Sequence, residues 1–65
     1  MKFGWQDIYE IAINLEDTYP DVDILSLSFP KLKSLVESLP HFTGEGNANE
    51  GVLEAIQMAW LEDRE

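Results

Sequence analysis

A chain of 65 residues with 45% hydrophobic and 11% aromatic content has material for one small core, and too much apolar surface to stay disordered. Its 13 acidic residues against 4 basic ones give a formal charge of -9, which argues against nucleic-acid binding, since only Lys2, Lys31, Lys33 and Arg64 could neutralise phosphates. With no cysteine, disulfides, thiolate zinc sites and cysteine-ligated clusters are excluded.

One domain is expected over residues 1–65. Trp5, Ile8, Ala12, Leu15 and Tyr19 recur at steps of three and four, and predict a first helix over 5–19 with these residues on its buried face. The opposite face carries Gln6, Asp7, Glu10, Asn14 and Asp17, with Tyr9 and Ile13 at its margin. Pro20 ends the helix, because it disfavours helical backbone in Tyr19 and has no N–H to donate. Residues 24–29 then alternate apolar and polar, but are too short for an independent sheet. They predict an extended connector with Leu25, Leu27 and Phe29 turned into the core.

A second helix is expected from Pro30, a favoured first-turn residue, with Leu32, Leu35, Val36 and Leu39 on its buried stripe, stopping before Pro40. Lys31 and Lys33 fall in its first turn, where the helix dipole disfavours cations, and serve chiefly to relieve the acidic excess. Residues 41–47 read as a polar loop anchored by Phe42. Asn47 or Asn49 can cap a third helix, and Asn47 with Glu50 has the spacing of a capping box. The buried stripe of that helix is Val52, Leu53, Ile56, Ala59 and Trp60, with Met58 and Leu61 off it. Both tryptophans therefore read as core residues and not as stacking platforms. The expected architecture is all-α: a small three-helix bundle of winged-helix-like outline, with an extended connector between helices one and two.

Catalysis finds little support. The one histidine, His41, follows a proline in a loop, and no nucleophile with a neighbouring base is apparent. The candidate binding site is the acidic set Asp7, Glu10, Asp17, Asp21 and Asp23, which one helix face and the following loop bring toward a common cation or basic patch, although such faces are also ordinary solvated surface. Their spacing lacks the pattern of a calcium EF-hand loop, so a metal held there would be a hard, oxygen-loving ion bound openly and weakly. No apolar run approaches the roughly 18 residues of a membrane span, and the start is not a signal peptide, so the chain reads as cytoplasmic.

Taken together, Trp5, Asp7, Glu10-Ile11, Leu15, Asp17, Tyr19-Pro20-Asp21, Asp23, Phe29, Phe42, Asn49-Glu50, Leu53-Glu54-Ala55-Ile56 and Trp60-Leu61-Glu62 resemble the IscX family, small accessory proteins of bacterial iron-sulfur cluster assembly. A monomer is expected. The resemblance implies a protein that docks its acidic surface on the cysteine desulfurase IscS, binds iron weakly and modulates cluster assembly, with iron donation or competition with bacterial frataxin for that surface as further implied roles. The carboxylates it offers to iron are Asp17, Asp21, Asp23, Glu50 and Glu54. Three segments depart from the family pattern: Ile24 stands where proline is usual, Pro30-Lys31 replaces polar and acidic residues, and Thr43-Gly44-Glu45-Gly46 replaces a loop richer in aspartate. Two functional readings stay open on sequence grounds, a desulfurase-binding adaptor and an iron donor, because the same carboxylates serve both. Nucleic-acid binding, suggested only by the winged-helix-like outline, is opposed by the charge.

Overall fold

The computed structural model describes residues 2–65. Helix α1 spans Ile8–Thr18, α2 spans Phe29–Glu37 and α3 spans Glu50–Arg64, with a 3-10 turn at Ile24–Ser26 between the first two. The expected all-α bundle is what forms. Among the described residues there is no strand, and the one β-bridge is parallel and joins Phe3 to Phe42, outside the connector.

The first helix begins three residues later than its apolar spacing predicts. Gly4 to Asp7 closes a turn in which the Asp7 N–H donates to the Gly4 carbonyl (3.0 Å) and the Gly4 N–H donates to Asp7 Oδ2 (2.9 Å). Only then does the Asp7 carbonyl accept the first helical bond, from Ile11 (3.0 Å). Trp5 is buried, but not on a helix face. Phe3 and Trp5 run beside residues 41–45, with Phe3 donating to His41 (3.2 Å), Thr43 to Phe3 (2.8 Å) and Trp5 to Glu45 (2.8 Å). The Trp5 ring meets Phe42 edge-on at 4.9 Å, a favourable aromatic geometry, so Phe42 does anchor its loop as expected.

That pairing needs glycine at two places. A Cβ on Gly4 would sit 2.7 Å from the Glu45 carbonyl oxygen, and Gly46 has a φ of +100 with the Trp5 side chain close above it. Glycine alone reaches that backbone region without steric cost.

The connector departs from the expected one. It is extended at Asp23 and Leu27 but winds into the 3-10 turn between them. Ile24 is therefore the residue driven into the core, while Leu25 is 74% exposed and Leu27 and Phe29 are half-buried. Three residues per turn replace the two-residue alternation of a strand, and the facing pattern shifts accordingly.

Helix α2 is capped by Ser28, whose hydroxyl accepts from the Lys31 N–H, with Pro30 in the first turn. Helix α3 is capped by Asn49, whose Oδ1 accepts from the Val52 N–H (2.9 Å). With Asn49 as the cap, Glu50 is the first helical residue and the Asn47–Glu50 box does not arise. The core joins Ile11 and Leu15 of α1, Leu32 and Val36 of α2, and Ile56 and Trp60 of α3, all fully buried. Each such side chain contributes about 1.5–3 kcal/mol of burial free energy. Most of the helix packing is between α1 and α3, and the turn at Ile24 also lies against α3. Among the described residues no helix is long and apolar enough to cross a membrane.

Candidate functional site

Burying Ile11, Ala12 and Leu15 commits the other side of α1 to solvent, and Glu10 and Asp17 are exposed there, with Asp7 exposed at the helix start. Asp21 and Asp23 are exposed in the segment that follows. The five residues of the expected docking face are thus all exposed, two of them on α1, Asp7 at its start and two in the segment after it. Two of them also serve the backbone or a neighbour. Asp7 holds the Gly4 turn, and Asp23 Oδ2 accepts from the Ser26 hydroxyl (2.7 Å) at the start of the 3-10 turn.

Among the described residues, Lys2 is a cation that borders this face. Lys2 lines a hollow of about 170 Å³ together with Phe3, Asp7 and Glu10. The acids beyond Asp17 have no lysine on their own segment, since Lys31 and Lys33 belong to α2.

The turn carrying Asp21 is held by residues outside the predicted site. Arg64, the last residue of α3, donates Nε to Glu16 Oε1 (2.9 Å), one terminal nitrogen to the Val22 carbonyl and the other to the Tyr19 carbonyl (3.1 Å). Glu16 Oε1 also accepts from Trp60 Nε1 (2.8 Å), and the guanidinium lies over the Trp60 ring at 5.5 Å. A planar guanidinium suits this task because its donors point in fixed directions and its face stacks on an aromatic ring. Gln57 adds a bond from Nε2 to the Ile24 carbonyl (3.0 Å). Between them Arg64 and Gln57 fasten residues 19–24 to α3 and so fix where Asp21 and Asp23 emerge.

The only signal in the sequence for this knot was a lone arginine in the last turn of a helix, a position the helix dipole favours. Which of thirteen carboxylates it would meet could not be read from spacing, because Glu16 and Arg64 are joined only when α1 and α3 pack.

The carboxylates suggested for iron are not gathered at one point. Glu50 stands at the opposite end of α3 from Arg64, about 21 Å along the helix axis at 1.5 Å per residue. Arg64 itself holds the segment between Tyr19 and Val22. Among the described residues, no three His, Asp or Glu side chains stand close enough to hold a metal ion. His41 adopts a φ of 69 and its carbonyl accepts from Phe3, a role in the N-terminal pairing.

The family model described as "Iron-sulphur cluster assembly" matches residues 3–65. An uncharacterized protein of Pseudomonas aeruginosa is 42% identical over 66 residues, an alignment that covers the whole of both chains. The chain belongs to the iron-sulphur cluster assembly family, that of IscX. No solved structure matches it. For this member of the family, the described residues offer exposed carboxylates along α1 and after it, with a structured turn at one end, and no three of them close enough to hold a metal ion.

Proposed function

We propose that this chain is a monomeric, cytoplasmic, non-catalytic adaptor of iron-sulphur cluster assembly that docks its acidic face on the cysteine desulfurase IscS, where it competes with bacterial frataxin. What supports this reading is the exposure of Asp7, Glu10 and Asp17 along α1 and of Asp21 and Asp23 just after it, in a family of cluster assembly. A field of this sign raises the encounter rate with a basic groove and excludes acidic competitors. Iron enters as a weakly held cargo on Asp17, Asp21 and Asp23, which the docking face shares, and on Glu50 and Glu54. We place donation of iron second, because a tight site needs several oxygen ligands converging on one point, and these acids would have to move together to supply them.

The test is a charge reversal. Glu10→Lys with Asp17→Lys should weaken binding to purified desulfurase at low salt, and the loss should shrink toward 1 M salt, where the screening length falls to about 3 Å. A control with Glu45→Lys and Glu65→Lys makes the same change in net charge at exposed positions outside the face. If the first pair binds as wild type does, α1 is not the docking face. An equal loss in the control would mean that net charge alone matters.

A further inference from the structure

The seam between α1 and α3 is not closed on its outer side. Tyr9, Ala12 and Ile13 of α1 and Ala59 of α3 line a shallow hollow of about 270 Å³, with Glu62 and Asp63 on its rim. Its form follows from side-chain size. Ala12 and Ala59 are small enough to make a low floor, while Tyr9 and Ile13 stand beside it as walls, 74% and 53% exposed. Met58, also 55% exposed, lies one helical turn before Glu62 on α3. Two large apolar side chains left in water as the walls of one hollow form a local apolar feature and not scattered exposure.

The hollow is too open and too small for an enclosed small-molecule site. It has room for an anchoring side chain from another protein, the element around which interfaces concentrate their binding energy. Charge decides what accompanies that anchor. Glu62 and Asp63 bound the hollow on α3, and Glu10 and Asp17 flank Tyr9 and Ile13 on α1. Arg64, the cation next to Asp63, is engaged with Glu16. A second copy of this chain would bring a net charge of -9 against the same sign.

We propose that this seam is an anchoring groove for a basic segment of a partner protein: an apolar side chain of the partner inserts between Tyr9 and Ile13 over Ala59, and flanking Lys or Arg residues meet Glu62 and Asp63. The inference rests on the docking reading above and adds to it a component that salt does not screen.

Tyr9→Ser with Ile13→Ser removes the walls at exposed positions, and circular dichroism checks that the helices persist. Against purified desulfurase, this variant should bind about tenfold more weakly than wild type at low and at high salt alike, the size of one interface anchor. The Glu10 and Asp17 reversal should instead lose its effect as salt rises. A groove variant within about twofold of wild type at both salts overturns the inference and leaves charge-driven docking standing.

If wild type does not bind the desulfurase, the proposed function fails, and a second arm decides the groove. Isotope-labelled protein is titrated with a helical peptide of leucine, alanine and lysine, and with the same peptide carrying serine for leucine. Resonance shifts at Ile13, Ala59 and Glu62 with the leucine peptide only would sustain the groove. Equal shifts with both peptides, shifts elsewhere, or none would overturn it. So would a concentration-dependent dimer abolished by the groove variant, which would make the occupant a second copy.

Discussion

Each end of the core is built around a tryptophan, and different forces hold the two. Trp5, 3% exposed, is placed by backbone pairing between residues 3–5 and 41–45 and by edge-on contact with Phe42. Trp60, fully buried, is placed by its position on the apolar stripe of α3, and its indole N–H is satisfied by Glu16, which Arg64 in turn holds. The N-terminal end therefore depends on backbone that must approach closely, and the other end on side chains that must meet. The two should fail differently: one through added bulk, the other through lost volume or a lost charge.

The largest effect is expected at the second tryptophan. Trp60→Ala should cost about 3–5 kcal/mol, and a domain of this size has little more than that to lose. Urea denaturation followed by circular dichroism measures it. A loss under about 1 kcal/mol would show that the α1–α3 packing does not depend on this ring.

The N-terminal end is tested by adding a single methyl group. Gly46→Ala places a Cβ 2.7 Å from Gln6 Oε1 and 3.3 Å from Trp5 Cβ, at a φ of +100. The flexible Gln6 can yield, but the backbone strain remains, so about 1–3 kcal/mol should be lost. Near-ultraviolet circular dichroism, sensitive to the packing of tryptophan, should change as well. An unaltered melting temperature and spectrum would mean that the pairing with residues 43–46 is not a fixed part of the fold.

Arg64→Met keeps much of the apolar stem and removes the donors to Glu16, Tyr19 and Val22. Because Arg64 and Glu16 are both partly exposed, the cost should be about 1–2 kcal/mol, at the lower end for bonds to charged groups. In a domain of this length each kcal/mol lowers Tm by about 4–8 °C. Amide exchange should quicken in residues 19–24 more than in α2. Uniform acceleration would mean that Arg64 stabilises the whole bundle and not the acidic turn in particular.

The smallest effect is expected in the connector. Leu25→Ser should change stability by no more than about 0.5 kcal/mol, because this side chain is 74% exposed, whereas the neighbouring Ile24 is 1% exposed and Ile24→Ala should cost about 2–5 kcal/mol. Similar losses at both positions would restore the fully extended connector that the alternation suggests.

The apolar stripes of α2 and α3, the cap at Asn49 and the outward acids of α1 depend on periodicity and on neighbours within a few residues. Such local relations are written in the order of residues, and all three helices were legible there. The family could be read as well, because its pattern of aromatic, acidic and proline positions runs through most of the chain. Where α1 begins was decided by tertiary structure. Trp5 continues the helical spacing, yet its backbone N–H bonds to Glu45, forty residues away. The 3-10 turn, which buries Ile24 in place of Leu25, lies against α3, where Gln57 bonds the Ile24 carbonyl. The knot of Glu16, Trp60 and Arg64 and the groove over Ala12 and Ala59 likewise exist only between packed helices. The sequence carries a residue's intrinsic preferences and its near neighbours, but which distant groups share a hydrogen bond or leave a hollow is fixed only when the helices meet.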